Sequence, residues 1–169
     1  MASWYPANHY IKPHYRTMPE FLRIEDMVAP TLATRERKLW RTARDRALGQ
    51  WLPVGFEIRA RDARRPYGGN RVTLNIADNE NDIGGMHCFE ECPPCDGKSG
   101  CDWIHVDQDV WTHAMLGGDT RYLRYVIAHE FGHSLGFGHG GSGIMDATPY
   151  HPLVNDEEIA AAKGYWGIP

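Results

Sequence analysis

Residues 126–140, VIAHEFGHSLGFGHG, set His129, Glu130, His133 and His139 among small and apolar neighbours. Leu123, Ile127, Phe131 and Leu135 recur every fourth residue, so a helix with one core-facing apolar stripe is expected. His129 and His133 share that spacing but start two residues after Ile127, which places them roughly 200° around the axis at about 100° per residue. They are expected to point away from the stripe. One turn apart, the two imidazoles can meet one zinc ion. Glu130, displaced by one residue, can reach a water on that ion while being poorly placed to bind it. Gly136 suits the left-handed backbone that ends a helix, after which the chain can turn back and deliver His139 as third ligand. A catalytic zinc needs three protein ligands and one open position, and this spacing supplies them.

Around that segment the chain reads as one domain over residues 1–169, long enough to bury a core without staples. Its 42% hydrophobic and 24% charged content is that of a globular protein rather than a disordered one. The formal charge of -4 gives no reason to expect nucleic acid as a partner. The arginines at 35–46 and 59–65 read as a solvated face. No run approaches the roughly 18 apolar residues of a membrane span, and the first residues lack the layout of a signal peptide.

Helices are expected at 34–50, from a cap at Asp119 to about Gly136, and from Asn155-Asp156 to Lys163. The first carries Leu39, Trp40, Ala43, Ala47 and Leu48 on one face, with arginines on the other. Strands are expected at 56–60, 71–77 and 103–107, with an extended edge and an irregular loop between the last two.

Met145 lies six residues past His139, within SGIMDA. The extended histidine pattern followed by such a methionine resembles the metzincin zinc endopeptidases, in which the methionine forms an apolar floor beneath the ligands. IHVDQDVWT at 104–112, GMHCF at 85–89 and NDEEIAAAKGYWG at 155–167 are similar to matrixin segments. The resemblance implies an α+β zincin/metzincin-like fold: a mixed, mostly parallel twisted sheet with three helices. The zinc cleft would divide an upper part, about 1–139, from a small C-terminal part, about 140–169.

The activity implied is zinc-dependent endopeptidase chemistry on protein or peptide substrates, with Glu130 as general base and then acid to a zinc-activated water. An extended peptide would add to the edge strand at Gly85 and Met86, and Pro149 and Tyr150 would wall a specificity pocket. His87 and His105 match half of a second zinc site, and Asp107 and Asp109 match calcium-holding positions. The family favours an extracellular setting; a monomer is expected. The section between the third histidine and the methionine is shorter than in matrixins, and their thiol-bearing propeptide motif is absent.

Cys88, Cys92, Cys95 and Cys101 fall within fourteen residues, a spacing open to two disulfides or to a structural zinc. Two other functions compete with peptide hydrolysis. One is a module that binds zinc or peptide and cleaves nothing. The other is a structural zinc closed by Asp146 or His151.

Overall fold

The computed structural model describes residues 21–64, 71–78, 84–89, 101–140, 142–146 and 153–169. Five strands form one sheet in the order β2-β1-β3-β5-β4: β1 Phe21–Asp26, β2 Glu57–Asp62, β3 Arg71–Ala77, β4 Gly85–Phe89 and β5 Cys101–Asp107. β1 pairs in parallel with β2 and β3, and β3 with β5, whereas β4 runs antiparallel to β5 at the edge. The helices are α1 Thr34–Gly49, α2 Gln108–Gly117, α3 Arg121–Ser134 and α4 Asp156–Trp166.

The expected count of three helices is therefore corrected to four α-helices among the described residues. Asp107 ends β5 and at once caps α2, its carboxylate accepting from the Asp109 N–H at 2.8 Å. With no glycine or proline between strand and helix, α2 was hidden within the continuous run IHVDQDVWT. β1 is a second addition. It was masked by Glu25 and Asp26, which are fully buried although charged. α4 also runs past its expected end at Lys163 to Trp166, stopping where Gly167 takes φ 64°.

The arginine face of α1 needs correction as well. Arg44 is buried with Trp40, Ala43, Ala47 and Leu48. Its guanidinium pairs with Asp26, whose carboxylate also accepts from the Trp40 indole and from the main-chain N–H groups of Val28 and Ala29, each at 2.9 Å. A buried carboxylate with this many donors is compensated, so a charge at the heart of the sheet is tolerated.

The core joins these layers. Trp40 meets Trp111 edge-on at 5.5 Å, and Trp51 packs on Phe137 at 5.2 Å while its indole N–H donates to the Ala128 carbonyl at 2.9 Å. α3 lies against α1, β4 and β5. Its histidine face is no solvent face: Val126, His129 and Glu130 are buried along with the Leu123, Ile127 and Phe131 stripe. No described helix is long and apolar enough to cross a membrane.

Candidate metal centre

His129 and His133 stand one turn apart near the end of α3. The helix stops as its spacing implies. Leu135 caps it, Gly136 takes φ 99°, and the Phe137 N–H turns back to the Gly132 carbonyl at 3.0 Å. An L side chain rarely adopts that dihedral, so glycine is the residue the turn requires. The reversal carries His139 to within 3.1 Å of His129, Nε2 to Nε2. One nitrogen from each of the three histidines lies within 4.8 Å of the others.

The outer nitrogens decide what the inner ones can do. His129 Nδ1 lies 2.7 Å from the Ile144 carbonyl, and His133 Nδ1 lies 2.7 Å from the Phe137 carbonyl. A carbonyl can only accept, so both Nδ1 atoms carry the proton and both Nε2 atoms offer a lone pair. Burial pushes His133 down to about 3, reinforced by the His129 and His87 rings and opposed by its bond to Phe137. Burial likewise lowers His129, with the Ile144 bond working against it. Neutral rings with fixed tautomers are what a divalent ion needs. Tetrahedral nitrogen ligands at about 2.0–2.1 Å from zinc stand about 3.3 Å apart, close to the 3.1 Å found between His129 and His139. The donor set therefore fits zinc.

Glu130 faces β4. Burial pushes its carboxyl up to about 7, while His87 holds it down through charge and through a main-chain N–H that bonds the carboxylate. Gly85 makes this approach possible: a Cβ there would lie 2.5 Å from Val126 Cγ1 and 2.9 Å from Glu130 Oε1. Gly85 thus spaces the strand from the helix, and Met86, pointing to the opposite side of β4, is exposed.

Met145, which the resemblance implied as the floor of the site, is joined by supports that were not read from the sequence. Met145 is fully buried against α3, and a Cβ on Gly132 would lie 2.3 Å from its Sδ and 2.9 Å from Trp51 Cζ2. Glu158 of α4 accepts from the Met145 N–H at 2.8 Å and the Ile144 N–H at 3.1 Å. The same carboxylate fixes the turn whose Ile144 carbonyl orients His129. The capping pattern Asn155-x-x-Glu158 was the available signal, but it gives no hint of the turn Glu158 reaches. Trp166 donates to the Leu135 carbonyl at 3.2 Å and so tethers α4 to the end of α3.

The other expected ligands fare differently. His87 and His105 do not share an ion. In the β4/β5 register His87 opposes Ile104 and Met86 opposes His105, so the two histidines emerge on opposite faces of the sheet. His87 bonds Asp102 at 2.8 Å, and His105 stacks on Trp103 at 5.4 Å. Asp107 is engaged as the α2 cap and Asp109 is exposed on the first turn. Among the described residues, His129, His133 and His139 are the one group of three metal-capable side chains that converges. Cys88 is disulfide-bonded and packs on Trp103, which ends its reading as a zinc ligand. Cys92, Cys95, Pro149, Tyr150 and His151 lie outside the described residues, as does the side chain of Cys101. Asp146 enters through its main chain, where its carbonyl accepts from the Tyr125 hydroxyl at 3.5 Å.

Comparison with known proteins corrects the family assignment. No family model matches the chain, and no curated protein matches it. A solved structure described as "GM1 bound form of the ECX AB5 holotoxin" contains a chain similar to this one at 17% identity and a TM-score of 0.45. That likeness covers 88% of this chain and 71% of that chain. None of these findings places the chain among the matrixins or any peptidase family. Matrixin membership, the zincin/metzincin fold name and the zinc-endopeptidase activity drawn from the resemblance are withdrawn.

Proposed function

We propose that this chain is a zinc-binding protein whose ion is held by His129, His133 and His139. The observation that carries the reading is the convergence of three ring nitrogens within 4.8 Å. The outer nitrogens of two of those rings are already committed to main-chain carbonyls. A zinc ion held there would supply Lewis acidity.

The chain's own residues supply the rest. The Ile144 and Phe137 carbonyls hold His129 and His133 in the ligating tautomer. Met145, packed at Gly132 between the two helical ligands' turns, and Phe137, packed on Trp51, are both fully buried and make the core on which this end of α3 rests. Glu130, adjacent in sequence to a ligand and titrating near neutrality, holds a proton at a carboxylate oxygen or releases it without leaving the site. Its position makes it a proton-holding neighbour of the ligand set.

Competitive titration of the metal-free chain against a chromophoric zinc chelator tests the proposal. One zinc is expected per chain. His133→Ala should weaken binding by at least about 100-fold, while Glu130→Gln should leave affinity within about threefold because it removes no ligand. Zinc affinity unchanged in His129→Ala, His133→Ala and His139→Ala would overturn it.

A further inference from the structure

We propose that Asp102 and His87 form a clamp that holds Glu130 in place beside the three histidines, which makes both of them positioning residues. The purpose of the clamp rests on the reading of those histidines as a metal centre, but its geometry does not.

β4 is an edge strand, and its ladder with β5 shows where the His87 N–H points. The Asp107 N–H donates to the Gly84 carbonyl at 3.0 Å, which marks Gly84 and Asp107 as a hydrogen-bonded pair. Such pairs alternate with non-bonded ones along an antiparallel ladder. His87, opposite Ile104 and three residues along from Gly84, belongs to a non-bonded pair, so its N–H points out of the sheet edge. Glu130 packs against this same strand, its Oε1 2.9 Å from where a Cβ on Gly85 would stand, and the clamp takes its carboxylate as the acceptor of that N–H.

The ring of the same residue is tied down independently. His87 Nε2–H donates to Asp102 Oδ1 at 2.8 Å, and the Ser134 hydroxyl of α3 donates to that same oxygen at 3.2 Å. One carboxylate on β5 thereby joins the edge strand to the helix that carries Glu130. The side chains of His87 and Asp102 are only 3% and 2% exposed, so neither bond competes with bulk water. Gly85 completes the arrangement by admitting Glu130 against the strand. Among the described residues β4 pairs on one side only, with β5, and the clamp adds a second tie from the strand to α3.

Amide hydrogen exchange of His87, followed by NMR in the metal-free and zinc-loaded chain, tests this. Glu130→Ala should speed exchange of that amide by about tenfold, and Asp102→Ala should do the same while Leu74 in β3 stays protected. Asp102→Asn keeps an acceptor oxygen for His87 and should stay within about threefold of the unsubstituted chain. Zinc affinity in Asp102→Ala should change by less than about threefold, since no ligand or ligand support is touched. Should Asp102→Ala fail to fold, Ser134→Ala removes only the helix arm, and about threefold faster exchange is expected.

Unchanged His87 exchange in Asp102→Ala and Ser134→Ala overturns the clamp. So does equal acceleration in the Asn and Ala variants, which would make charge rather than hydrogen-bond geometry the cause. A fall in zinc affinity in step with the amide overturns the assignment to Glu130. A chain that binds no zinc but shows the expected exchange pattern refutes the metal centre and leaves the clamp standing.

Discussion

His129 and Ile144 are joined by a 2.7 Å hydrogen bond from the imidazole Nδ1–H to the main-chain carbonyl, and the turn that offers this carbonyl is held in turn by Glu158. A ligand on α3 is thus oriented by a carboxylate on α4. Glu158→Ala removes charge-assisted bonds to the Ile144, Met145 and Asn155 N–H groups. We expect a stability loss of about 2–3 kcal/mol in urea unfolding. Zinc affinity should fall by about 10- to 100-fold, as losses of outer-shell partners do. Affinity retained in a folded Glu158→Ala chain would disconnect α4 from the site.

Glu130 and His133 give the metal-free chain opposite responses to acid. The Glu130 carboxyl rises from 4.5 in the free side chain to about 7 in the fold. Between those values the folded chain binds more proton than the unfolded one, so stability falls as pH rises through that window. His133 drops from 6.5 to about 3, so there the unfolded chain binds more proton and stability falls as pH drops below 6.5. Glu130→Gln removes the first effect. Measured with a chelator present at pH 8, that variant should be more stable than the unsubstituted chain by about 1–3 kcal/mol. It should then lose stability steadily from pH 6.5 downward. A variant less stable at pH 8 would contradict the burial cost assigned to the carboxylate.

Gly132 separates His133 from Phe131 and leaves the space that Met145 fills. Alanine in a helix gains up to about 1 kcal/mol over glycine, but overpacking a closed core costs about 1–3 kcal/mol. Met145 and Trp51 are both fully buried, so neither can yield freely and the second effect should win. Gly132→Ala is expected to lower the melting temperature. A rise would mean that Met145 has room to move.

Arg44 and Asp26 form an ion pair inside the sheet-helix interface, with side chains 6% and 0% exposed. Arg44→Met leaves the carboxylate with its main-chain and indole donors but without a counter-charge, which should cost about 3–5 kcal/mol. Adding Asp26→Asn should recover part of that loss. Purely additive effects in this double-mutant cycle would show that the pair does not couple.

What the sequence disclosed depended on how local each signal is. The four-residue spacing of His129 and His133, the helix-ending Gly136 and the return to His139 all lie within eleven residues, and backbone geometry converts such spacing into direction. Asn155 likewise announced the start of α4. The pairing of Arg44 with Asp26, the reach of Glu158 to the 144–145 turn and the bond of His87 to Asp102 link distant elements, and no periodicity carries them. β1 and α2 failed for a different reason. Buried Glu25 and Asp26 read as polar breaks, and Asp107 serves as strand end and helix cap in one residue. The opposite faces of His87 and His105 follow from the β4/β5 register, which the chain alone does not state. Matching segments suggested matrixin membership, and the comparisons give it no support.

The most direct test of the three-histidine centre is zinc K-edge X-ray absorption on the chain loaded with one equivalent of zinc. We predict three imidazole nitrogens at about 2.0–2.1 Å and no sulfur in the first shell. A sulfur ligand at about 2.3 Å would put the ion on cysteine, and a spectrum unchanged by His139→Ala would remove that residue from the centre; either result contradicts the account.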